Sequence, residues 1–509
     1  MVSAALVLAA FSSAQGPLAQ GCVFDDQNLN GKRDVGEPGI PSVRVSNQRD
    51  IVLTDEDGIW RLPYTDETIF FVIKPRNWMT PVDENKLPRF YYIHKPKGSP
   101  KQKYPGVSPT GPLPASIDFP LHKQSEAEKF QAIFFGDTQP RDLREVEYIA
   151  KDIVSELVGS SAAFGVTLGD IVFDDLSVFM PLVQTVALIG IPWYNVLGNH
   201  DQNYDSPDDV HSDETFESIF GPSYYSFDYG PTHFIVLDDV EWGVLNATGQ
   251  RTYRGGIGPS QLQFIENDLR YVPQDQLVVL TMHIPITSVV DRAALFRLLE
   301  SRPFSLSVSA HTHYQEHIFL KSEHGWQGAK PHHHVVNVTT CGSWWQGSPD
   351  ELGIPHTTMR CGAPNGYSIF TFDGRQYSIE FKAARRPGDY QMNLILPDSI
   401  KAADVAGTPV HANVFGGSEL SLTQIRFDAG PWQPMEKSPV PDPEYVKMVE
   451  RDKSLTLPYR PLPAAINSPH LWKATLPTGW KPGVHRVEVK SVDMFGHSYT
   501  AVRAIRIDP

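Results

Sequence analysis

The stretch Ala132-Ile133-Phe134-Phe135-Gly136-Asp137-Thr138-Gln139 is an apolar run that stops at a glycine and ends in two side chains able to hold a metal ion. A short apolar run closed by a turn residue reads as a buried strand. The pattern recurs along the chain. Gly165-Val166-Thr167-Leu168 ends in Gly169-Asp170, and Trp193-Tyr194-Asn195-Val196-Leu197 ends in Gly198-Asn199-His200-Asp201. Helical periodicity from about Leu143 to Leu157 and around Val178 to Ile189 separates these runs, and strands alternating with helices predict α/β packing. Further strands are expected around Phe234–Leu237, Leu277–Leu280 and Leu306–Ser309, the last two leading into Met282-His283 and Ala310-His311-Thr312-His313. The crevice of an open α/β sheet lies at the carboxyl ends of its strands, where loops converge. Core packing gains nothing from unpaired carboxylates and imidazoles, so the repeated endings point to a site.

The residue types indicate which chemistry. Two cations about 3.5–4 Å apart can polarise one phosphate and hold a nucleophilic hydroxide between them, but they need a carboxylate that reaches both. Asp170 is the candidate bridge. Carboxylate, imidazole and amide oxygen together suit manganese, zinc or iron and are too rich in nitrogen for calcium.

Gly136-Asp137-Thr138-Gln139, Gly169-Asp170, Gly198-Asn199-His200-Asp201, Met282-His283 and Ala310-His311-Thr312-His313 resemble, in order, the motif series of the calcineurin-like metallophosphoesterases. The resemblance implies a four-layer α/β/β/α catalytic domain and hydrolysis of phosphomonoesters or phosphodiesters. It implies one metal held by Asp137, Gln139, Asp170 and His313, and a second by Asp170, Asn199, His283 and His311. His200 would bond the scissile phosphate or protonate the leaving oxygen, with Asp201 orienting it. This chain departs from the pattern in three places. Gln139 stands where many members have His, Ala310 replaces a common Gly, and the usual second Asp after Gly-Asp arrives one residue late, at Asp174 or Asp175, with no role assigned.

On either side the chain reads as β structure. Residues 21–75 carry short strands punctuated by Gly, Pro and Asp and predict a small β-sandwich. Within it Asp26, Asn28, Asn30, Asp34 and Glu37, with Gly31 and Gly36, follow a calcium-loop spacing between strands. That loop resembles the one in the B-modules of bacterial serine-aspartate-repeat adhesins; an Asx-rich turn without metal is the alternative. Residues 76–127 read as a Pro-rich connector, 128–385 as the catalytic domain and 386–509 as an all-β sandwich, after the helical signal ends near Arg386. This order is similar to bacterial phosphoesterases that carry dedicated N- and C-terminal calcineurin-associated domains.

Composition narrows the remaining classes. The 509 residues exceed what one core holds, and a net charge of -15 disfavours a nucleic-acid scaffold, leaving a small phosphate ester as the expected partner. A cyclic-nucleotide phosphodiesterase or nuclease on the same centre, and a surface scaffold with a decayed core, are the competing functions. The three cysteines exclude a disulfide framework; Cys341 and Cys361 are either one bridge or two separate buried residues. Residues 1–20 read as a signal or a disordered segment, and no later run reaches membrane-spanning length, so a secreted, periplasmic or cell-surface bacterial location is expected. His332-His333-His334 reads as a solvated run. Trp344 and Trp345 either wall a substrate pocket or pack in the core. The oligomeric state is not legible.

Overall fold

A computed structural model describes residues 16–509; most of the expected signal segment falls outside the described residues. The first strand, Leu18–Asp25, begins inside that segment, because Leu18 to Cys22 pair with Pro63 to Ile59. Two four-stranded sheets follow. One orders Ile59–Pro63, Leu18–Asp25, Phe119–Lys123 and Trp78–Met79; the other orders Ile51–Leu53, Arg44–Ser46, Thr68–Val72 and Tyr91–His94. Three of these strands come from 76–127, so the expected connector is part of both sheets. Phe119 stacks on the buried Trp60, an anchor that a three-residue parallel pairing with Val23 to Asp25 does not announce by periodicity.

The central region holds two larger sheets. In the first, Trp193–Asn195, Phe164–Thr167 and Lys129–Phe135 run parallel, and Gly366–Asp373 and Gln376–Ala383 complete it antiparallel. In the second, Thr232–Val236, Leu277–Thr281, Ser305–Ser309 and His332–Val336 run parallel between antiparallel edge strands Tyr225–Tyr229 and Glu316–Leu320. Phe134, Phe164 and Val166 of the first sheet share one core with Phe234, Val279 and Val308 of the second. The helices Leu143–Ile149 and Phe179–Ala187 pack against Ile133, Phe135 and Trp193 on the first sheet's other face. The helices Gly258–Leu269 and Arg292–Leu299, not expected from the sequence, bury Phe264, Ile265, Leu295 and Phe296 in the shared core.

Two further sequence expectations fail. His332, His333 and His334 are a buried strand, not a solvated run. Two of these imidazoles join three serines in a chain: Ser305 Oγ to His332 Nδ1 (2.9 Å), His332 Nε2 to Ser307 Oγ (2.8 Å), Ser307 Oγ to His334 Nδ1 (2.7 Å) and His334 Nε2 to Ser309 Oγ (3.0 Å). The C-terminal part is also not all β. Beside a four-stranded and a five-stranded sheet it contains the helix Pro443–Lys453, begun by Pro443 and capped by Asp442, whose carboxylate accepts from the Glu444 and Tyr445 amides. The surrounding prolines hide the buried Tyr445 and Val449 that mark its inner face.

Candidate metal centre

Every predicted ligand follows the carboxyl end of a parallel strand: Asp137 and Gln139 after Lys129–Phe135, Asp170 after Phe164–Thr167, Asn199 after Trp193–Asn195, His283 after Leu277–Thr281, His311 and His313 after Ser305–Ser309. The turns that follow these strands use unusual backbone: Asp137, Gln139, Asp170, His311 and His313 all have positive φ, between 38° and 70°. Such strain costs about 1–3 kcal/mol per residue and persists only where surroundings enforce it. Two glycines allow the closeness. A Cβ on Gly198 would lie 1.9 Å from the Asp170 nitrogen, and one on Gly169, at φ +82°, would lie 2.5 Å from the His283 ring.

The donors converge. One ligand atom each of Asp170, His283 and His311 lies within 4.8 Å of the others. His283 Nε2 is 3.2 Å from Asp170 Oδ1, 3.1 Å from Asn199 Oδ1 and 3.1 Å from His311 Nδ1. His283 Nδ1 faces the Leu168 carbonyl at 2.8 Å and donates to it, which turns the lone pair of Nε2 into the cluster. His313 repeats the device: Nδ1 donates to the Gly342 carbonyl at 2.7 Å and Nε2 faces Asp137 Oδ1 at 3.7 Å. Gln139 Nε2 lies 2.8 Å from Asp170 Oδ2, and half a turn of the amide puts its oxygen there.

Electrostatics fit a cation. Burial pushes Asp137 up to about 8, against the pull of His283. Burial also opposes ionisation of Asp170, yet His283 and His200 hold its carboxyl well below the usual range. His283 in turn is raised to about 10, Asp170 outweighing burial, whereas burial pushes His313 down to about 3 and, helped by His283, His311 to about 4. Two buried acids packed among imidazoles, two of whose ring nitrogens face each other at 3.1 Å, match what a divalent cation would relieve.

His200 does not pair with Asp201. Asp201 accepts from the amides of Gly198 (2.8 Å), Ile171 (3.1 Å) and Val172 (3.1 Å), fastening one ligand loop to the other, so its expected orienting role is corrected. Its carboxylate is used up by the backbone. Asp174, at φ +56°, meets His200 Nδ1 at 2.6 Å. The left-handed turn returns to the ring a carboxylate that comes one residue late in sequence. Burial lowers the His200 pKa, but Asp170 and Asp174 more than offset it and hold it above its ordinary value. Phe173 stacks on His200 at 4.6 Å and Trp344 on His313 at 3.9 Å, while Trp345 is buried and donates to the Thr138 carbonyl. Asp239, also missed, accepts from the His283 and Ile284 amides. It follows the strand Thr232–Val236 as the other acids follow theirs, and that position was the available signal.

The loop of Asp26, Asn28, Asn30, Asp34 and Glu37 is brought together too, closed by its own hydrogen bonds. Asp26 accepts from the Asn30 and Gly31 amides, Asp34 from both asparagine side chains, and Glu37 from the Gln27 and Asp34 amides. Cys22, Cys341 and Cys361 are free and buried.

Three family profiles match the chain in sequence order: N terminal of calcineurin-like phosphoesterase over residues 27–105, calcineurin-like phosphoesterase over 130–315, and C terminal of calcineurin-like phosphoesterase over 333–499. The chain belongs to the calcineurin-like phosphoesterases. Membership makes this a divalent-metal-dependent hydrolase of phosphoric esters, and the converging donors lie within the segment matched by the phosphoesterase profile. No curated protein matches the phosphoesterase significantly. Among solved structures it is similar to purple acid phosphatase PPD1 isolated from yellow lupin (Lupinus luteus) seeds, with 14% identity, 67% of each chain covered and a TM-score of 0.37. PhoD matches at 11% identity, over 72% of the phosphoesterase and 85% of PhoD, with a TM-score of 0.37. Among the described residues no helix is long and apolar enough to cross a membrane.

Proposed function

We propose that the protein hydrolyses small phosphate esters at a dinuclear centre. The observation that carries this reading is the meeting of His283 Nε2 and His311 Nδ1 at 3.1 Å beside Asp170, an arrangement of lone pairs that only a proton or a cation relieves. Asp137, Gln139, Asp170 and His313 would hold one ion, and Asp170, Asn199, His283 and His311 the other. When bound, such a pair polarises a phosphoryl oxygen and supplies a nucleophile at neutral pH. The chain's own residues do the rest. Asp170 lies between both donor sets. His200, hydrogen-bonded to Asp174 and braced by Phe173, would donate to the leaving oxygen. Asp201 keeps the two loops in register.

The four-layer arrangement, with a β-rich unit at each end of a catalytic domain near 128–385, is the architecture we assign. The packing of both central sheets into one core supports it. The N-terminal unit then extends from about Leu18 to Lys123. Manganese, zinc or iron at the centre, calcium in the 26–37 loop and a secreted or cell-surface location complete the reading. Hydrolysis of p-nitrophenyl phosphate and bis-p-nitrophenyl phosphate after EDTA treatment and metal readdition tests it. Metal-restored turnover that Asp170→Asn abolishes is expected; turnover equal in the variant and the wild type sinks the assignment.

A further inference from the structure

We propose that Arg141 recognises the substrate phosphate and favours a phosphomonoester over a diester. The inference rests on the phosphoesterase reading above and deepens it. Arg141 lies two residues after Gln139, and its guanidinium sits 4.4 Å over the ring of Phe173, the same ring that stacks on His200. Its Nη1 donates to the Trp344 carbonyl at 2.6 Å, and the Trp344 ring stacks on His313. Arg141 is thereby held between the aromatic braces of two histidines of the candidate site.

Its remaining hydrogen bonds are informative. The Arg141 amide and Nη1 engage Glu145, and Glu145 also takes Arg460 from the C-terminal part at 3.2 Å. Nε and Nη2 have no acceptor among the described residues, although the side chain is only 18% exposed. A guanidinium so fixed, with donors left over, is built for a planar pair of acceptor oxygens. Two non-bridging oxygens of a diester are both needed at the metal pair. A monoester has a third terminal oxygen and a second negative charge, and these are what Arg141 would take.

The test uses the full-length protein loaded with manganese, comparing wild type, Arg141→Gln and Arg141→Lys. Calorimetric titration with inorganic phosphate is run beside steady-state hydrolysis of p-nitrophenyl phosphate and bis-p-nitrophenyl phosphate. In Arg141→Gln the phosphate Kd and the monoester KM are expected to rise about tenfold or more, the diester values to stay within about twofold, and metal content to hold. Arg141→Lys, which keeps the charge without the fork, should fall between, and added guanidinium ion should partly restore monoester turnover in Arg141→Gln. Unchanged phosphate affinity in a metal-loaded variant overturns the proposal, and so does an equal loss on both esters, which would mark a structural role. Wild-type protein that takes up no metal and turns over neither ester sinks the underlying phosphoesterase reading instead.

Discussion

At the scale of single residues, Asp174 shows where a spacing rule and the folded chain part company. The convergence of the residues we assign as ligands was legible, because each closely follows an apolar strand and a buried strand end has few other uses for a carboxylate or imidazole. Asp174 was not, since its position depends on one left-handed residue that counting along the chain cannot show. Asp174→Asn is expected to lower kcat about 10–100-fold with little change in KM, the usual cost of losing the partner that orients an active imidazole. Its pH profile should also move, because the imidazolium of His200 loses its anionic neighbour and the limb reporting that acid shifts to lower pH. Steady-state rates across pH check both. Asp201→Asn behaves differently: it disturbs three backbone hydrogen bonds and both loops, so a lowered urea midpoint should accompany its loss of activity.

At the scale of elements, strand identity was readable where one face is apolar and the run is long, and unreadable where polar side chains satisfy one another inside. His332 and His334 carry no apolar signal, yet burial pushes both down to about 3 and the serines of Ser305–Ser309 supply their partners. Ser307 serves both rings. Ser307→Ala should cost about 1–3 kcal/mol for each imidazole nitrogen left bare, read as a fall in the urea midpoint, while Ser305→Ala at the outer end should cost less. Equal midpoints for Ser307→Ala and wild type would show that the chain of hydrogen bonds contributes nothing. The helix Gly258–Leu269 was hidden for a related reason, since Gln261 and Asp268 interrupt its buried stripe, while Arg292–Leu299 has an apolar face but only 8 residues, too few for a periodicity to stand out.

At the scale of the whole molecule, the β-rich N-terminal part is tied to the central region by buried charge that no local motif reveals. Arg44 bridges Asp228 (2.5 Å) and Asp268 (2.8 Å), His233 lies between the same two carboxylates at 2.7 and 2.8 Å, and Lys95 is buried against Glu214 and Glu217. Burial opposes the charge on Asp268, but His233 and Arg44 hold it down to about 2; burial likewise opposes His233, which Asp268 and Asp228 raise above its ordinary value. His233 therefore stabilises fully below the ordinary imidazole pKa of 6.5 and loses its contribution as pH rises through its raised value. Asp268 stabilises fully above the ordinary 3.8 and loses its contribution as pH falls toward about 2. Urea midpoints should thus fall as pH rises above about 6.5 in wild type and fall less in His233→Gln. The domain order was legible in composition shifts, whereas this docking was not, because its partners lie far apart in sequence. What most directly decides the account is the metal content of the purified protein, measured by mass spectrometry after loading and desalting, with Asp170→Asn beside it. About two transition-metal ions per chain, with most of that content lost in the variant, is the predicted result; a folded wild type that retains none, or a variant that retains as much, would contradict the shared centre.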